Sequence, residues 1–243
     1  MWRGAVLAIV FAFPATADVV SAKFTDPTSR YTHGILGDEI EYGAMLVRYE
    51  GVSSRSLSKD AVLRRGEVTI RLPLDHVFED IAPRLIDVDG DGDREIIVVE
   101  TDVAKGAQLA IYDETGKIAE TPHIGHTHRW LAPIGAADLD GDGNVEIAYI
   151  DRPHLARLLK IWRFKDGKLT LVAEKGGLTN HQIGWDYILG GIQDCGVGPV
   201  MITANSDWTI IMATAYRDGV YLSAPVGKYT GPKSMKHILN CLR

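Results

Sequence analysis

Two acidic nine-residue segments, offset by 51 residues, constrain this chain more than any other feature. The first reads Asp87-Val88-Asp89-Gly90-Asp91-Gly92-Asp93-Arg94-Glu95 and the second Asp138-Leu139-Asp140-Gly141-Asp142-Gly143-Asn144-Val145-Glu146. Each runs straight into an apolar stretch, 96–99 and 147–150, of the kind that forms a buried strand. Acids fall at positions 1, 3, 5 and 9, and the intervening glycines let the backbone curl so that alternate side chains face one centre. Without a cation the five acids of the first segment would repel one another strongly. Carboxylate oxygens at this density favour calcium, whose six to eight flexible ligands suit a curled loop. The expected ligands are Asp87, Asp89, Asp91 and Glu95 in one loop and Asp138, Asp140, Asp142 and Glu146 in the other. Asp93 and Asn144 are expected to contribute backbone carbonyls, giving two Ca2+ sites. The plainer reading is a pair of solvated acidic turns.

An EF-hand opens in the same way but needs a bidentate acid at position 12. That position holds Val98 in one segment and Tyr149 in the other, both inside apolar runs. These loops therefore join strand to strand, and the helix–loop–helix reading fails.

The spacing extends beyond the acids. Gly66, Gly116, Gly167 and Gly219 stand 50, 51 and 52 residues apart, each between two strand-like runs. Asp166-Gly167 and Asp218-Gly219 are strong hairpin-turn signals. His126 and Trp130 recur as His181 and Trp185. Four strands per ~50 residues, repeated, is the pattern of a propeller blade, and such a unit buries its faces only by stacking on neighbours. The expected fold is all-β, a β-propeller-like array of about four four-stranded blades at 31–75, 76–126, 127–181 and 182–226, with 227–243 as a C-terminal clasp. A β-sandwich or an open stack of meanders is the alternative.

The two loops, each followed by a hydrophobic strand, resemble the calcium-binding FG-GAP/VCBS repeats of integrin alpha-subunit-like propellers. The resemblance implies calcium sites between the first two strands of a blade, and a role in adhesion or recognition. Its specific motifs cover 87–95 and 138–146 alone. In the flanking repeats Gln193, Cys195, Val197 and Met201, and Gly37, Gly43 and Met45, stand where the acids would be.

Residues 1–17 read as a cleaved leader: Arg3, an apolar stretch over 5–13, Pro14, then Ala15-Thr16-Ala17 before Asp18. A buried N-terminal strand is the other reading. No later stretch approaches the ~18 apolar residues of a spanning helix. The expected location is periplasmic or secreted. In that setting Cys195 and Cys241, the two cysteines of the chain, suggest one disulfide, worth roughly 4 kcal/mol on the chain-entropy model. A formal charge of −6 argues against a nucleic-acid partner.

Several clusters invite chemistry. His123, His126 and His128 suggest a transition-metal site, but on a strand His123 would face away from the other two. The recurrence of His126 as His181 favours a structural contact, and Trp130 and Trp185 read chiefly as packing residues. Asp60, Arg64 and Arg65 read as a solvated edge. Polar residues where the apolar strands end, Glu100, Asp102, Asp151, Arg152, His154 and Asp207, would gather on one face of a propeller and form its candidate binding face. No G-x-S-x-G, H-E-x-x-H, phosphate loop or C-x-x-C occurs, and no catalytic residue is assigned. The sequence thus points to an exported calcium-binding module that binds or scaffolds an envelope protein or polysaccharide. The alternative is a small envelope hydrolase or lyase acting on polysaccharide, with structural calcium.

Overall fold

The computed structural model describes residues 17–52, 63–217 and 219–241. The leader expected over 1–17 lies almost wholly outside the described residues, as does Asp60. The described residues are all-β, with three antiparallel sheets and one short helix among them. In the first sheet, β1 (Asp18–Thr28) and β3 (Leu63–Arg71) flank β2 (Glu41–Val52). The short β4 (His76–Phe78) then joins β2 to β6 (Glu95–Asp102), through Tyr42↔Phe78 on one side and His76↔Asp102 on the other. β5 (Arg84–Ile86) pairs with the start of β6, and β7 (Gly106–Asp113) and β8 (Gly116–Glu120) complete eight strands. The second sheet holds β9 (Leu131–Ala137), β10 (Glu146–Asp151), β11 (Leu158–Lys165) and β12 (Lys168–Gly176), in the order β12-β11-β10-β9. The third holds β13 (Leu178–Thr179), β14 (Gly191–Gln193), β15 (Val200–Asn205), β16 (Ile210–Arg217) and β17 (Val220–Lys228). Helix α1 (Pro232–Leu239) follows.

The apolar runs after the acidic loops explain the stacking. β6 and β10 are buried along their whole lengths, as strands covered on both faces must be. One core joins Ile97, Val99, Leu109 and Ile111 of the first sheet to Trp130, Leu131, Ile147 and Tyr149 in and beside the second. Another joins Ile150, Leu159 and Ile161 to Met201 and Tyr216 of the third. The opposite face of this last sheet is covered by α1, with Met235 buried among Leu189, Ile202 and Ile211. Cys195 and Cys241 are bonded, with Cα atoms 5.7 Å apart, and tie the end of α1 to the loop between β14 and β15. Among the described residues the sheets close no ring.

Two expectations are corrected in the first repeat. The loop does not span 37–45: it ends at 40, and β2 is already running at Glu41. Gly66 is not at a turn but inside β3, opposite Tyr49, where a β-carbon would lie 2.3 Å from the tyrosine ring. The other three marker glycines do stand between paired strands: Gly116 follows β7, Gly167 lies between β11 and β12, and Gly219 between β16 and β17.

Candidate functional site

The two acidic loops fold alike. Asp87 accepts N–H bonds from Gly90 and Gly92 (2.7 and 3.0 Å), and Asp138 accepts the equivalent bonds from Gly141 and Gly143 (2.7 and 3.0 Å). Glu95, at the start of β6, reaches back to the Val88 N–H (2.8 Å), as Glu146 does to that of Leu139 (2.9 Å). One oxygen from each of Asp87, Asp89 and Glu95 lies within 4.8 Å of the others, and the same holds for Asp138, Asp140 and Glu146. Asp91 and Asp142 fall outside these clusters and instead accept the N–H groups of Asp93 and Asn144. Burial, then repulsion from Asp89, Asp91 and Asp87, pushes the Glu95 carboxyl up to about 7. Three convergent hard donors whose charges oppose one another fit a calcium-class ion.

The loops differ in one respect. Arg163 of β11 stands opposite Glu146 and donates through Nε to its Oε1 (2.6 Å), through Nη2 to Asp140, and lies 3.1 Å from Asp142. The equivalent place opposite Glu95 falls on Asp113, whose carboxylate is engaged by Thr115 and Gly116. Arg94 of the first loop turns outward to Asp18 (2.7 and 2.8 Å). The second loop thus carries a cation of its own, while the first has none in that position. Both loops border one cleft of about 410 Å³.

A second concavity, about 240 Å³, forms where the connections meet. It is lined by His33, His128, Arg129, Trp130, Arg152 and His154, among others. Three residues at or beside it, Thr32, His128 and Arg152, hold positive φ (48°, 53° and 46°), a conformation that costs energy outside glycine and often marks functional positions. Beneath the cavity, buried Glu79 binds His33 Nδ1 and accepts the Thr101 hydroxyl (2.6 Å), while its carbonyl accepts Trp130 Nε1–H (2.8 Å). Burial raises the Glu79 carboxyl, against the opposing pull of His33. On the other side His181 Nε2–H donates to the Trp185 carbonyl (2.9 Å), so its Nδ1 accepts from His154 Nε2–H (3.0 Å). Burial, and then the neighbouring His181, lower the His154 imidazole to about 4.

That shift has a stability consequence. The unfolded His154 takes up a proton near its ordinary pKa of about 6.5, whereas the folded one stays neutral down to about 4. Its contribution is therefore complete above pH ~6.5 and is lost as pH falls toward ~4. Thermal melts across that range should show a steeper acid-side loss for the native chain than for His154→Gln. Equal slopes would contradict this assignment.

Of the candidate binding face, Arg152 and His154 line the cavity. Asp151 is buried and binds Arg152 (2.8 Å) and Lys160 (3.2 Å). Glu100 is held by Tyr112 and Lys117, Asp102 by Lys105, and Asp207 by Thr209, none of them on the cavity wall. The segment around His126 is a connection, not a strand, so strand alternation does not apply there. His126 is exposed and bonds only locally to Thr127 O (2.7 Å), so the structural role expected of it belongs to its repeat mate His181 alone. His33 and Glu79 carry no repeat signal and were not legible in the sequence.

Residues 87–149 match the model of the FG-GAP-like repeat. No curated protein matches the chain. Two solved structures are similar in part. The exotype rhamnogalacturonan lyase YesX is 14% identical at a TM-score of 0.39, over 74% of this chain and 40% of its own. The rhamnogalacturonan lyase YesW is 14% identical at 0.39, over 79% and 44% respectively. The chain thus spans less than half of either, and a TM-score this low defines neither a fold nor an activity.

Proposed function

The chain carries an FG-GAP-like repeat at 87–149, and from that premise we propose an exported, calcium-stabilised, propeller-like module that binds a ligand in the cell envelope. Calcium in the two loops would neutralise the carboxylates and fix each loop against the strand that follows it, so metal binding adds to folding stability. The observation supporting a binding role is the concavity lined by Arg129, Arg152 and three histidines on a chain of net charge −6. Such a lining suits a carboxylate-bearing ligand, which an acidic glycan or an acidic protein segment would supply.

The test is binding of an oligouronate, with a neutral glucan of equal length as control, to residues 18–243 in calcium. Arg152→Ala is expected to weaken oligouronate binding at least tenfold at temperatures where the variant, which also loses the pair with buried Asp151, is still folded. Equal retention of both glycans, or indifference to Arg152→Ala, would contradict the site. A second reading, a polysaccharide hydrolase or lyase, is favoured by the His33–Glu79 pair, in which a buried carboxylate orients a cavity-lining imidazole as a general base requires. Turnover of the bound glycan that disappears in His33→Ala would establish it.

A further inference from the structure

Away from both the acidic loops and the cavity, we propose that His76, Asp102 and His123 form a zinc site. His76 on β4 and Asp102 at the end of β6 are register partners in adjacent strands. His123 comes from the connection between β8 and β9, its ring centroid 5.9 Å from that of His76. One ligand atom from each of the three lies within 4.8 Å of the others. His76 Nε2 is 3.9 Å from Asp102 Oδ2, and ligand atoms around a tetrahedral zinc stand about 3.3 Å apart. Small side-chain rotations therefore close the set.

What separates this trio from a chance cluster is the support behind each ligand. The Asp75 carboxylate accepts the His76 Nδ1–H (2.9 Å), and the Gly106 carbonyl accepts the His123 Nδ1–H (2.8 Å). Both imidazoles are thereby fixed in the tautomer that leaves Nε2 with its lone pair, the outer-shell arrangement that metal-ligating histidines use. Asp102 Oδ1 accepts the N–H groups of Ala104 and Lys105 (2.8 and 3.1 Å), which orients the carboxylate. Gly106 has φ +79°, and a β-carbon there would meet the His126 carbonyl at 2.3 Å, so the glycine lets the His123 connection approach β7.

Two imidazoles and one carboxylate suit zinc, whereas the all-oxygen loops suit calcium. Asp102 is buried and both histidines are half-buried, which leaves a fourth coordination position toward solvent. Glu100 is also 3.8 Å from His76 Nε2, but its oxygens already serve Tyr112 and Lys117. Lys105 Nζ bonds Asp102 Oδ2 at 2.7 Å from a side chain that is 64% exposed, so it is a competitor an entering ion displaces into water. The bound ion would pin the connection that continues to His128, Arg129 and Trp130 of the cavity wall.

Zinc titration of residues 18–243 by calorimetry, in excess calcium so that the oxygen-rich loops do not compete, tests this directly. One equivalent of Zn2+ is expected to bind. His76→Ala and His123→Ala should each weaken it by about 100-fold or more, and Asp75→Asn by about 10–100-fold. Lys105→Gln should tighten it by roughly tenfold, a gain that misfolding cannot mimic. His126→Ala, at an exposed position in the same connection, should change nothing. Absence of stoichiometric binding, or affinity indifferent to His76→Ala, His123→Ala and Lys105→Gln, would overturn the site.

Discussion

Trp130→Ala is expected to destabilise the chain by about 3–5 kcal/mol, the range for deleting a large buried aromatic. Trp130 is 2% exposed and sits in the core shared by the first two sheets. It packs edge-on against His181 at 4.8 Å between ring centroids, and its Nε1–H is bonded to the Glu79 carbonyl. Truncation therefore opens a cavity, leaves that carbonyl unpaired, and loosens the segment that carries Glu79 to His33. For a chain of this length the loss corresponds to a melting-point drop of roughly 6–20 °C. Trp130→Phe keeps most of the buried area and removes only the donor, so it should cost about 1–2 kcal/mol. Chemical denaturation of the two variants separates packing from hydrogen bonding. A cost below about 1 kcal/mol for Trp130→Ala would mean that the first two sheets do not depend on each other as this core implies.

The repeat register placed Trp130 and Trp185 as equivalents, yet only the first is enclosed. Trp130 lies between two sheets. Trp185 lies in the connection between β13 and β14, half-buried against the core under α1, and it stacks on Tyr187 at 4.7 Å and meets Trp208 edge-on at 5.2 Å. Spacing reveals which residues occupy equivalent places in a repeat, but not what covers each place. The hairpins at Gly116 and Gly167 and the strands after the acidic loops were legible because local rules set them: glycine at positive φ in the turn, and unbroken apolar runs in doubly covered strands.

The first repeat departs from the register for a related reason. Gly37 and Gly43 imitate the glycine spacing of the loops, but the run 41–52 is a single long strand paired on both sides. The cavity was legible only in part, through Arg152 and His154 at a strand end. His33 and His128 reach it from connections far apart in sequence, and His76 meets His123 across 46 intervening positions. No periodicity encodes such meetings, which depend on how the sheets stack.

The two acidic loops are unequal partners for a cation. Arg163 already offsets part of the charge of Asp140, Asp142 and Glu146, whereas Asp113 stands at the matching place beside the first loop. A cation at the first loop therefore relieves more repulsion, and one at the second must displace or share with a guanidinium.

Thermal unfolding of residues 18–243 with calcium and then with excess EDTA, alongside Asp89→Ala and Asp140→Ala, tests the central claim that these loops hold structural calcium. A filled site adds about 4 kcal/mol when free calcium exceeds its Kd by about a thousandfold. The melting temperature is expected to fall in EDTA. Asp89→Ala should remove a larger share of that calcium response than Asp140→Ala, because Arg163 already bridges the second loop. Melting that is indifferent to calcium and to both substitutions would show the loops to be solvated acidic turns and would contradict the account.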